Sequence, residues 1–124
     1  MKWTKTNAVF PVKDVATSVE WYDRTFGLEP VLVNPPSGVA VYAIVGGDGV
    51  ALHLLRSDRA PHGLHSPVQA RFWIDQGLDE LFNQLARAAI TVVQAPADQP
   101  WGHRDFMVAD PDRNIVWVTT PLQR

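Results

Sequence analysis

One order of apolar segments occurs twice in this chain, and it constrains the fold more than any single motif. Residues 8–12 alternate as a short strand. Asp14 then stands where a helix needs an N-cap, and Val15, Val19, Tyr22 and Phe26 recur at helical spacing up to Gly27, a stop residue. Strand-like runs follow at 30–33, 39–45 and 50–55, the last two joined by Gly46-Gly47-Asp48-Gly49, a hairpin signal. After a connection rich in Pro, Gly, His and Ser at 57–67, the order repeats. A strand at 68–74 leads to a helix at 78–88 with Leu78, Leu81, Phe82 and Leu85 on one face, then to strands at 90–94, 105–109 and 115–119. Val12 and Ile74, Gly27 and Ala89, and Leu28 and Ile90 each lie 62 residues apart, the scale of a repeated unit. The expectation is an α+β protein of two β-α-β-β-β modules, residues 1–56 and 68–124 with a linker at 57–67, forming one domain of mixed sheets with helices on one face.

Composition removes several classes of function. The 124 residues suffice for one sizeable core, and the net charge of −2 is dispersed, so no surface for nucleic acid or an anionic membrane is expected. No apolar run reaches a bilayer span and the N-terminus lacks a signal-peptide core, which makes a cytoplasmic protein the expectation. With no cysteine in the chain, disulfides, thiolate nucleophiles and thiolate metal ligands are excluded.

The motifs point further. Ala8-Val9-Phe10-Pro11-Val12-Lys13-Asp14, then Ser18, Trp21-Tyr22 and Phe26-Gly27-Leu28, precede Trp73-Ile74 and Gly77-Leu78-Asp79-Glu80-Leu81. Near the C-terminus stand Pro100-Trp101-Gly102, Arg104 and Asp110-Pro111-Asp112-Arg113-Asn114 before the apolar run Ile115-Val116-Trp117-Val118. In this order and spacing the chain resembles the glyoxalase/bleomycin resistance proteins of the vicinal oxygen chelate superfamily over essentially its whole length, with most similarity to the metal-free bleomycin-resistance type. The resemblance implies curved mixed sheets around a cleft with helices on the outer face. It also implies a homodimer, in some relatives with an exchanged N-terminal strand. The turn at 110–114 departs from the family in one respect. Arg113 replaces a glycine, which leaves Asn114 as the residue expected to accept a positive φ.

The family's metal enzymes hold a divalent cation on four side chains, and those positions fall here on Asn7, His53, Gln69 and Trp117. Imidazole is a good ligand, an amide is a weak one, and an indole offers no acceptor. No metal and no cofactor are therefore expected, nor a catalytic residue, since no carboxylate stands where the family's base would. Strand periodicity supports this alignment. If Gln69 faces the cleft, so do Arg71 and Trp73, while Ala70, Phe72 and Ile74 face a helix; His53 likewise leaves Leu52 and Leu54 to the core, and Trp117 leaves Val116 and Val118. A slip of one residue would bury His53, Gln69 and Arg71 among apolar side chains.

The expected ligand-binding set is Asn7, His53, Gln69, Arg71, Trp73, Trp101, His103 and Trp117. It suits a flat aromatic or heteroaromatic, antibiotic-like molecule that is bound and sequestered without being transformed. Arg71 and a nearly neutral chain favour a neutral or anionic guest over the cationic drugs that acidic relatives take. The loop Asn34-Pro35-Pro36-Ser37-Gly38 supplies no second stacking platform. Two other classes remain open at this point: a metalloenzyme using His53 with His103 or an aspartate, and a scaffold or sensor with an incidental cleft. His62 and His65 read as loop residues.

Overall fold

A computed structural model describes residues 1–58, 60 and 68–123. His62 and His65 lie outside the described residues. The chain divides into two compact units, Met1–Pro61 and His62–Arg124.

In the first unit, β1 (Ala8–Val12), α1 (Val15–Phe26), β2 (Glu29–Asn34), β3 (Tyr42–Gly47) and β4 (Val50–Arg56) follow one another, and the sheet order is β1-β4-β3-β2. The β1–β4 pair is parallel and the other two pairs are antiparallel. Asp14 caps α1 by accepting from the Thr17 backbone N–H at 2.9 Å, and Gly27 closes it at φ 68°. Phe10, Val12, Leu52, Leu54, Ala43 and Val45 are buried together with Val15, Trp21 and Tyr22 of the helix. Trp21 meets Tyr22 edge to face at 4.8 Å between centroids. Between β3 and β4 the turn is Asp48-Gly49, with φ of 27° and 88°. Both values are positive, as a primed two-residue hairpin requires.

The second unit repeats the plan with β5 (Gln69–Trp73), α2 (Leu78–Arg87), β6 (Thr91–Asp98), β7 (His103–Ala109) and β8 (Ile115–Pro121), in the order β5-β8-β7-β6. Phe82 of α2 packs edge to face on Phe106 at 5.3 Å. Phe106, Val108, Val116 and Val118 are buried, so the helix covers the face of the sheet that carries these residues.

Three sequence expectations change. The loop expected at 95–104 is mostly strand, because β6 runs on to Asp98 and pairs with β7 out to Arg104. Register shifts between Val92 and Gln94 and between Gln94 and Ala97 place Pro96, which has no N–H to donate, at an irregularity in the ladder. Secondly, the run expected as a strand at 39–45 begins only at Tyr42 and extends to Gly47. Thirdly, positive φ in the turn at 110–114 falls on Arg113, at 66°, and not on Asn114. Asn114 is buried and donates its backbone N–H to Asp110 Oδ1 at 2.8 Å and its side-chain Nδ2 to Asp110 Oδ2 at 3.0 Å.

The two helix ends invite one substitution. Gly27 closes α1 in the left-handed region, and the matching residue after α2, Ala89, takes φ 59°. A Cβ in that region is disfavoured by about 1 kcal/mol relative to glycine. Ala89→Gly is expected to stabilise the protein by up to about 1 kcal/mol, read as a rise in the urea midpoint with unchanged m-value.

Candidate functional site

The site is built by the pleat of the second sheet. Along β5, Gln69, Arg71 and Trp73 are exposed while Ala70 and Phe72 are partly covered. Arg71 pairs with Trp117 and Trp73 with Thr119 across the parallel β5–β8 ladder. Across β8–β7, Trp117 pairs with Met107 and Thr119 with Asp105. Paired residues share a face. The face opposite α2 therefore carries Gln69, Arg71, Trp73, Trp117, Thr119, Met107 and Asp105, with His103 at the start of β7 on the same side.

These groups interact closely. The Trp117 indole N–H donates to Gln69 Oε1 at 2.5 Å. The Arg71 guanidinium carbon lies 4.8 Å from the centre of the Trp117 ring and 5.9 Å from that of Trp73, within cation–π range. Trp73 meets the His103 ring at right angles, 4.7 Å between centroids, and His103 Nδ1 is 3.4 Å from an Arg71 nitrogen. Trp73 remains 53% exposed, so most of one large ring is open for stacking.

Trp101 sits in the turn between β6 and β7, two residues before His103, and is 60% exposed. That turn is closed by Gln99 N–H to His103 C=O at 2.6 Å and by Gly102 N–H to Gln99 C=O at 3.1 Å. Arg104 braces it from the helix side of the sheet, donating to Asp98 Oδ1 at 2.8 Å and to Asp79 of α2 through Nε at 3.1 Å. The Asp79 hydrogen bond, followed by that of Asp98, raises the Arg104 pKa above its ordinary value. Its role is structural, with two carboxylates as partners.

The other two expected residues belong to the first unit. His53 pairs with Val9 and Ile44, on the face of the first sheet away from the buried Leu52 and Leu54. Its Nδ1 is hydrogen-bonded to the Tyr42 hydroxyl. Tyr42 was not among the expected residues. Counting back from the two-residue turn places it two pairs beyond Ile44, on the same face and diagonal to His53, so the hairpin signal contained it. Asn7 lies one residue before β1 and is exposed.

Asp105 was also missed. It is fully buried, and its Oδ1 accepts from the side-chain amides of Gln94 at 2.9 Å and Gln99 at 3.0 Å. Its Oδ2 and the hydroxyl of the facing Thr119 are buried and have no hydrogen-bond partner among the described residues. Asp105 opened the strand expected at 105–109, and alternation back from Met107 places it on this face.

Gln69 and Trp117, the two positions of the second unit at which the resemblance would put metal ligands, do not suit that role here. Trp117 contributes a donor where a ligand atom is needed, and that donor occupies the oxygen Gln69 would have to offer. His103 is accompanied by the Arg71 guanidinium, a fixed positive charge where a divalent ion would have to approach. Among the described residues no group of three or more His, Asp or Glu side chains is placed to hold a metal ion.

Two successive βαβββ units, each with sheet order 1-4-3-2 in its own numbering, define a class of protein built from repeated half-modules. Residues 6–118 match the model of the Glyoxalase/Bleomycin resistance protein/Dioxygenase superfamily, and the chain belongs to that family. Among solved structures, TioX from Micromonospora sp. ML1 is 26% identical, with 95% of this chain and 100% of that one covered and a TM-score of 0.76. A bleomycin resistance determinant encoded on the transposon Tn5 is 19% identical over 96% of this chain and 98% of that one, with a TM-score of 0.77. Lactoylglutathione lyase from Agrobacterium tumefaciens is 20% identical over 97% and 95%, with a TM-score of 0.75. These last two likenesses speak to the fold alone. No curated protein matches the chain in sequence.

Proposed function

We propose that this protein binds and sequesters a flat aromatic or heteroaromatic small molecule, antibiotic-like in character, without a catalytic metal. The observation that carries this reading is the stack on the second sheet, where the planar Arg71 guanidinium already lies over the Trp117 and Trp73 rings. A surface that holds one planar group against indole faces suits another. Stacking on Trp73 and Trp117 is worth about 0.5–1.5 kcal/mol per ring beyond area burial. Gln69 and His103 supply hydrogen-bonding edges. Trp101, exposed on the adjacent turn, gives a further aromatic surface. Function of this kind rests on affinity, with no bond broken.

The metalloenzyme alternative finds less support, because Gln69 and His103 are engaged by Trp117 and Arg71 in the manner described above. We also propose a cytoplasmic homodimer. In the first unit Val9, Val31, Leu32 and Leu55 are large apolar residues left exposed, and a second copy of the chain is the partner that would cover them. No described helix is long and apolar enough to cross a membrane.

The test is tryptophan fluorescence with a broad panel of planar aromatics, each titrated with and without a chelator. Saturable one-to-one quenching that is indifferent to the chelator is expected. No response to any member of the panel would favour a scaffold or sensor, and a response that needs added divalent cation would favour an enzyme.

A further inference from the structure

The centre of the aromatic face on the second sheet contains a carboxylate with an unused oxygen. Asp105 is fully buried, and the groups seen to donate to its side chain are neutral amides, Gln94 from β6 and Gln99 from the turn that bears Trp101. Among the described residues its Oδ2 and the hydroxyl of Thr119 have no hydrogen-bond partner, and the two residues are direct neighbours across β7 and β8. Thr119 in turn pairs with Trp73. The row Trp73, Thr119, Asp105 therefore sets an exposed indole, a hydroxyl and a carboxylate side by side on one face.

A buried carboxylate oxygen without a donor is costly, and a cation bearing N–H groups offsets that cost best. The nearby guanidinium groups are committed elsewhere, Arg71 over Trp117 and Arg104 to Asp79 and Asp98 on the helix side. Gln99 donates to Asp105 from a turn whose neighbours Pro100 and Trp101 are exposed, so a charged donor on a ligand reaching this turn would replace a neutral amide.

Building on the ligand-binding reading above, we infer that Asp105 and Thr119 form an anchor for a protonated amino or amidino group carried by a planar aromatic ligand stacked on Trp73. The guest is then cationic at one edge. This reverses the preference for a neutral or anionic guest that Arg71 and the overall charge alone suggest. Arg71 lies nearer Trp117, at 4.8 Å, than Trp73, at 5.9 Å; in the complex it keeps to Trp117, two residues along the ladder, and leaves the open part of Trp73 to the ligand.

The test uses benzamidine, with benzoate as the planar anion of matching size, followed by NMR of the indole N–H and the side-chain amides. Benzamidine is expected to bind at least tenfold more tightly than benzoate, moving the Trp73 indole and the Gln99 and Gln94 amide signals together. Asp105→Asn is expected to bring the two probes within about twofold of each other, and Thr119→Val to narrow the gap partway. Equal binding of the two probes by the unaltered protein overturns the inference, as does a preference for benzamidine that leaves the Gln99 and Gln94 signals unmoved. These two results hold even if Asp105→Asn does not fold. A preference that survives in a folded Asp105→Asn protein also overturns it. If neither probe binds while other aromatics quench the tryptophans, the anchor fails and the stacking site stands. If no aromatic of any charge binds, both readings fall.

Discussion

Asp110→Ala is expected to lose about 3 kcal/mol or more of folding stability, the largest effect of any substitution outside the apolar core. The carboxylate is buried and accepts hydrogen bonds from the backbone N–H of Asp112 at 2.9 Å, from that of Asn114 at 2.8 Å, and from Asn114 Nδ2 at 3.0 Å. Hydrogen bonds to a charged acceptor contribute about 1.5–3 kcal/mol each, and alanine would strand two main-chain donors away from water. Together these donors hold the chain where β7 turns into β8, so the register of Trp117 against Met107 depends on them. The melting temperature should fall by roughly 10 °C for a domain of this length. Asp110→Asn keeps an oxygen of the same shape and should lose less than half as much. A melting temperature within 2–3 °C of the unaltered protein for Asp110→Ala would mean the turn is held by other contacts.

The second large effect concerns binding. Trp117→Ala removes the ring beneath the Arg71 guanidinium and the donor to Gln69 together. Affinity for a planar ligand found by fluorescence should weaken at least about 30-fold, about 2 kcal/mol, as expected for a half-buried aromatic anchor at the centre of a site. Trp101→Ala, on the exposed turn, should weaken it less than about fivefold. Trp117 is flanked by Val116 and Val118, both buried on the opposite face, so the core is not directly cut by the change. Urea denaturation of each variant separates lost affinity from lost fold, and comparable losses at Trp101 and Trp117 would move the site from the sheet to the turn.

Much of this was legible in the residues. Apolar alternation fixed which face of β5 and β8 each side chain takes, because exposing Phe72 or Val118 in place of Arg71 or Trp117 would forfeit the core. Asp14 and Gly27 marked both ends of α1, and Gly46-Gly47-Asp48-Gly49 marked the hairpin, whose turn the ladder narrows to Asp48-Gly49. The missed features have physical causes. Proline in Gln94-Ala95-Pro96 argued for a loop, whereas register shifts in the ladder carry it within β6. Asp105 was already the first residue of the strand expected at 105–109, and its pairing with Thr119 needed the β7–β8 register to be counted through. Arg113 takes the positive φ because Asn114 is held by Asp110 on both its backbone and its side chain. The Tyr42–His53 pair needed the hairpin register to be counted through, which a list of matched family positions does not do.

Native mass spectrometry of the purified protein, before and after incubation with an aromatic ligand identified by quenching, tests the central claim most directly. The account predicts one organic molecule per chain as a non-covalent adduct, kept in the presence of chelator and lost in Trp117→Ala. A stoichiometric divalent ion whose removal by chelator also abolishes the adduct would contradict it.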